Sequence, residues 1–330
     1  MSSMKQRAKG ADGTRTGGKS APSAVAGAHT RRGILTGVAG LATGFLAGCL
    51  GGERTASVLA AGSLASAFGE TVGPAFKRER GYAFEGEYRG SNAVMRMVAD
   101  GQRKPDAVVS ADAGLLRERL RPETADWDVV FATNAVVIAY NPSTPAGSRL
   151  ADGEPWPTVL ADADAEIGRT DPDLDPLGYR AVQLFDLAAR YYDRPELADR
   201  LRANTTVDPQ EAHLLAAVET GDRAAAVAYR NMAVDRDLPF RDLPPELNFA
   251  DPALADHYAT ATYTTEEGRE IRGRPIRYNA TVPAGAPRPE AGRAFVGFLA
   301  RRPDLLERAG LVVPAALPRA KGDPPGGVVP

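Results

Sequence analysis

The stretch Ser57-Val58-Leu59-Ala60-Ala61-Gly62-Ser63-Leu64 decides the fold. Its first five residues form an apolar run of buried-strand length. Gly62 and Ser63 end that run, and Leu64, Phe68, Val72 and Phe76 then recur four apart, the spacing of one helical face. Outward from there, Tyr82, Phe84, Gly86 and Tyr88 alternate as a second strand. Arg89-Gly90-Ser91-Asn92 opens a second helix with Val94, Met97 and Val98 inward. Residues 106–110 read as a third strand and 113–120 as a third helix. This alternation is the pattern of a parallel α/β sheet. Ligands of such sheets sit beyond the carboxyl ends of the strands, which is where Ser63 and Ser91 fall.

Residues 129–134 and 135–140 form a long apolar strand with a polar break at Thr133-Asn134, a length that suits a crossing between two lobes. Past a loop at 143–157, Ile167-Gly168-Arg169 leads into Asp171-Pro172-Asp173-Leu174-Asp175-Pro176-Leu177-Gly178-Tyr179-Arg180. Asp175 stands where an N-cap stands and Pro176 where a first helical residue stands, so a helix follows over 178–192. Further helices are expected at 196–203, 209–220 and 290–300, and strands at 224–229 and 276–282. Residues 318–330 read as a disordered Pro/Gly tail. Two α/β lobes follow, the second inserted in the first: residues 55–133 with 284–317, and 134–283. A cleft between lobes is a common ligand site.

The first 48 residues do not read as fold. After a basic, polar stretch come Arg31-Arg32, an apolar run to Leu46, and Leu46-Ala47-Gly48-Cys49. The run is short for a membrane span. It looks like a twin-arginine export signal joined to a lipoprotein signal. Cleavage would leave lipid-bearing Cys49 at the head of a tether, residues 49–56, and hold the protein on the outer face of the cell membrane. Cys49 is the only cysteine, so no intrachain disulfide forms. Residues 1–48 hold seven Lys/Arg against one Asp, so of the net −2 the remainder carries −8. A chain this acidic does not draw an anion from afar, and any anion site must be built locally from hydrogen-bond donors. No basic stripe for nucleic acid follows residue 50. His213 and His257 are not spaced as a metal pair, and no P-loop, dinucleotide glycine pattern or Ser-His-Asp order appears.

Helix starts at Ser63, Ser91 and Asp175 each offer free N–H groups, and Tyr229 at a strand end offers a hydroxyl. Taken singly, each reads as a helix cap or a packing residue. Taken together, they converge on sheet edges.

Together with Val109-Ser110-Ala111-Asp112, Ala125-Asp126-Trp127, Phe131-Ala132-Thr133-Asn134 and Leu243-Pro244-Pro245-Glu246-Leu247-Asn248, these stretches resemble the archaeal molybdate/tungstate-binding lipoproteins of ABC importers, over residues 57–315. The resemblance implies the two-lobe type II periplasmic-binding fold with a hinge and interlobe cleft. It implies a monomeric receptor, not an enzyme, that needs no cofactor and hands molybdate or tungstate to a permease and its ATPase. It implies hydroxyl and backbone donors at Ser63 and Ser91, backbone donors at Leu177 and about Val207, and the Tyr229 hydroxyl. Asp175 matches a carboxylate that approaches Mo or W itself, giving six oxygens in place of four. A second carboxylate is expected just before the tyrosine of the 224–229 strand, where Ala228 stands. Glu219 is the nearest acid, and the alternatives are that it reaches the metal or that it is a surface residue with coordination nearer tetrahedral. Other readings are a receptor for sulfate or phosphate, and a secreted hydrolase using Asp175. Asp171 and Asp173 read as solvated loop acids that could bind a cation.

Overall fold

The structure, a computed structural model, describes residues 54–162 and 164–330. The export signal expected at 1–48 and the acylation expected at Cys49 lie outside the described residues. In the first sheet, β1 (Arg54–Ala61) runs parallel to both β2 (Tyr82–Arg89) and β3 (Ala107–Ser110). β4 (Asp128–Thr133) and β5 (Val136–Tyr140) are the two halves of the crossing strand, and they part at Thr133-Asn134 as the polar break predicts. β4 stays in the first sheet, while β5 enters the second.

The second sheet adds β6 (Ile167–Thr170), β7 (Thr205–Asp208), β8 (Ala225–Tyr229) and β9 (Phe240–Asp242), in the order β7-β6-β8-β5-β9. β6 is parallel to β7 and β8, whereas β5 is antiparallel to β8 and β9. β10 (Thr262–Thr264) and β11 (Glu270–Arg272) make a separate hairpin.

Three expectations need correction. The late strand assigned to the second lobe, β12 (Arg277–Thr281), lies between β3 and β4 in the first sheet, antiparallel to both. The chain therefore returns before residue 277, not at 284. A five-residue strand, here Arg277-Tyr278-Asn279-Ala280-Thr281, carries no local mark of which sheet it joins. The tail at 318–330 holds β13 (Arg319–Lys321), paired with the edge of β4, and Val328 is buried. The finished order is β13-β4-β12-β3-β1-β2. The loop expected at 143–157 contains a helix, Pro145–Ala151, capped by the Thr144 hydroxyl accepting from Gly147 N.

The central strands are buried along their whole length, as continuous apolar runs covered on both faces should be. Helix Pro176–Tyr191 is unusual. Beyond its apolar residues Leu184, Phe185, Leu187 and Ala188 it also buries Arg180 and Gln183 completely. A helix buried nearly all round packs against protein on every side, and here those sides belong to both lobes.

Candidate functional site

β1 ends at Ala61, and the short turn Gly62–Leu64 sets Ser63 at the sheet edge, where it is buried. β2 gives way to Gly90 and then to helix Ser91–Ala99. The Ser91 hydroxyl accepts from Ala111 N at 3.1 Å, which leaves its own proton free to donate. From the second sheet, the loop after β6 delivers Asp175 as the N-cap of helix Pro176–Tyr191. Its carboxylate accepts from Leu177 N at 2.5 Å and Gly178 N at 3.2 Å. β8 ends at Tyr229, fully buried.

The structure thus brings Ser63, Ser91, Asp175, Leu177 and Tyr229 to facing ends of the two sheets. The Leu177 N–H is turned to Asp175, so the expected backbone donor serves the carboxylate. Two other residues fall outside the cluster. Glu219 is half-exposed and paired with Arg236 at 2.6 Å. Val207 lies in edge strand β7 opposite Arg169, with its side chain 44% exposed.

Beside Asp175 stands a further buried carboxylate, Glu211, which the sequence reading missed. It opens helix Glu211–Thr220 just after β7, and it is buried. Ser63 turns both its N–H and its hydroxyl towards the Glu211 carboxylate. The arrangement repeats that of Asp175, with strand, loop, and an acid at the helix start. That repetition was the signal available in Asp208-Pro209-Gln210-Glu211.

Two glycines of the first lobe let these acids in. A Cβ on Gly62 would lie 2.0 Å from Glu211 Oε2. One on Gly90 would lie 2.3 Å from the Leu174 carbonyl oxygen and 2.5 Å from Asp175 Cβ. Each carboxylate of the second lobe therefore meets bare backbone of the first.

Around this cluster are two polar networks. At the hinge, Asn134 Nδ2 donates to Asn231 Oδ1 (2.6 Å) and to Tyr278 Oη (3.2 Å). Asn231 in turn donates to the Ser63 carbonyl (2.8 Å) and the Tyr278 hydroxyl to Ser63 Oγ (3.1 Å). The break in the crossing strand is thereby tied directly to a site serine. Deeper, Asp112 accepts from Tyr179 Oη (2.6 Å), Arg180 Nη2 (3.1 Å) and Arg274 Nε (3.0 Å).

The electrostatics of the two carboxylate sets are opposite. Burial pushes Asp175 up to about 6. Burial, then the charge of Asp175, pushes Glu211 well above the usual carboxylate range. Burial alone would also raise Asp112, but Arg274 and Arg180 outweigh it and bring it down to about 2. Burial holds Tyr229 well above its ordinary value, so it keeps its proton.

A cavity of about 50 Å³ opens beside Ser63 and Glu211, lined further by Asp235 and Arg236 and not by Ser91, Asp175 or Tyr229; it is far below the several hundred Å³ of an organic-ligand pocket. Larger grooves, about 610 Å³ beside Asp186 and Arg202 and about 560 Å³ beside Arg117 and Arg319, hold none of the cluster. Among the described residues no group of three or more His, Cys, Asp or Glu could hold a metal ion, and no helix is long and apolar enough to cross a membrane.

Residues 56–311 match the family model of the bacterial extracellular solute-binding proteins. The chain belongs to that family. Among its relatives, a putative ABC transporter molybdenum-binding protein of Haloferax volcanii is 43% identical over 92% of this chain and 98% of its own length. A molybdate/tungstate-binding protein of Pyrococcus abyssi is 33% identical over 79% of this chain and 87% of its own. The solved periplasmic molybdate-binding protein of Azotobacter vinelandii superposes with a TM-score of 0.57, covering 78% of this chain and 99% of that one at 14% identity. That likeness concerns the fold, which is the two-lobe type II solute-binding architecture.

Proposed function

We propose that this solute-binding protein captures molybdate or tungstate outside the cytoplasm and delivers it to an ABC permease and its ATPase. The reading rests on Asp175 and Glu211 entering one small interlobe site beside the Ser63 hydroxyl. Carboxylates repel a dianion unless they bond its central atom. Mo(VI) and W(VI) are hard acceptors that take further oxygen ligands. Sulfate does not expand in this way, so the acids that bind one guest exclude the other. Ser91 and Tyr229 supply O–H groups for the outer oxygens, and Ser63 joins them once its hydroxyl leaves the Glu211 carboxylate for the ligand. The ligand is bound and released unchanged, and Asp175 serves as a ligand and helix cap instead of a hydrolytic acid.

Isothermal titration of the domain from residue 50 onward tests this. Molybdate and tungstate should both give heat and sulfate none, and X-ray absorption of the tungstate complex should count six oxygens. Binding of sulfate or phosphate with neither metal oxyanion would overturn it. We also propose that export and acylation at Cys49 hold the monomer at the membrane. Mass spectrometry of the membrane-extracted protein should find a lipid on that cysteine.

A further inference from the structure

Arg180 is fully buried on helix Pro176–Tyr191, and nothing in the oxyanion reading uses it. Its guanidinium works in two directions. Nη1 donates to Tyr229 Oη at 2.6 Å, within the second lobe. Across the cleft, Nη1 also donates to the Ala111 carbonyl at 3.3 Å, and Nη2 donates to Asp112 Oδ2 at 3.1 Å. Asp112 is itself held by Tyr179, by Arg274 and by the N–H groups of Gly114 and Leu115. The fork is planar and rigid, so fixing one end fixes the other.

The consequence falls on the phenol. Tyr229 Oη accepts from Arg180, and among the described residues no acceptor takes the Tyr229 proton. The residue is fully buried. Its charged and phenolic neighbours are Arg180, Tyr278, Asp175 and Tyr179, and the guanidinium has only donors to offer. Arg180 thus occupies the phenol oxygen as a donor and leaves the proton to point elsewhere, and Asp175 is the acidic neighbour of the hydroxyl.

We propose that Arg180 is a positioning residue for the anion site. By donating to the Tyr229 oxygen it aims the phenol proton at the ligand, and Asp112 and Ala111 of the first lobe set its plane as the lobes meet. This assignment rests on the oxyanion reading above. It gives the closed arrangement a better donor than an open one, so closure and ligand affinity are coupled through one side chain. Lysine would keep the charge but lose the fork.

A double-mutant cycle tests it, with tungstate Kd as the readout. Arg180→Lys should weaken binding about tenfold or more when Tyr229 is present, and less than about twofold on a Tyr229→Phe background. Equal losses on both backgrounds, or full affinity in Arg180→Lys, would show that Arg180 acts by bulk or charge alone and overturn the assignment. Where Arg180→Lys does not fold, Asp112→Asn carries the same cycle, since it loosens the fork and leaves the arginine in place. Its non-additivity with Tyr229→Phe supports the assignment, and additivity overturns it. A wild-type protein that binds neither molybdate nor tungstate overturns the oxyanion reading and this assignment with it. Wild-type binding with an additive cycle overturns this one alone.

Discussion

The lobes meet at two places that use the same chemistry in different surroundings. In the deep contact, Asp112 and Arg180 are 1% and 0% exposed. At the rim, the hairpin β10–β11 is held to helix Pro176–Tyr191 through Gln183 Nε2 donating to the Ile271 carbonyl. Its tip reaches the first lobe, where Glu267 pairs with Arg119 (2.7 Å) and Arg96 (3.5 Å), and Arg269 pairs with Glu118 (3.2 Å). Glu267 and Glu118 are each nearly half exposed. Asp173, read from sequence as a solvated acid, anchors this hairpin by accepting from Tyr263 Oη at 2.6 Å and Glu266 N at 2.9 Å. Water and salt screen the rim, and neither reaches the deep pair. The deep contact therefore dictates one geometry for closure, while the rim guides approach and adds little energy.

Replacing Asp112 by Ala should break this contrast most severely. It strands a buried guanidinium, at a cost of about 3–5 kcal/mol in urea unfolding. A loss no larger than that of a rim variant would refute the contrast.

The carboxylates give the next effect. The Asp175 carboxyl is raised, so the folded chain binds more protons than the unfolded one between about pH 4 and 6. Ligand-free stability should therefore fall as pH rises through that window, by about 3 kcal/mol for this group, and Asp175→Asn should flatten the slope. Asp112, held near 2, acts in the opposite sense, and its contribution is lost only as pH falls below about 4. Tungstate affinity should fall below about pH 6, because a protonated carboxyl does not ligate the metal. Titrations at pH 5 and pH 7.5 check the sign.

Gly90→Ala should weaken tungstate binding about tenfold to a hundredfold, since its methyl meets the Leu174 backbone. Gly62→Ala meets the Glu211 carboxylate itself and should weaken binding by a similar factor. The smallest effect belongs to Glu267→Gln at the rim, about 1 kcal/mol or less at low salt and vanishing in molar salt.

These contacts also separate what was readable in advance from what was not. Ser63, Ser91 and Asp175 were found because each sits in a local signal, a strand that ends in a turn and opens a helix. Asp175 carried its own marks, the following proline and the cap position. Glu211 carried only an acid in a first helical turn, which on most helices is a solvated group favoured by the dipole. What makes it a site residue is burial against Gly62, 149 positions earlier in the chain. Glu219 looked equivalent in sequence and lies at the surface. Asp112 and Arg180 stood in quoted motifs, but nothing in either motif says that they meet.

Residue order alone settled the alternation of strand and helix, the polar break where the chain changes sheets, and the serines and aspartate at the strand ends. Those features depend on neighbours a few positions apart, where backbone geometry and capping act. The assembled chain settled which sheet β12 joins, which of two acids lies buried beside Asp175, and which cation donates to the tyrosine. Those depend on how far groups distant in sequence are removed from water, and burial is a property that no local pattern records.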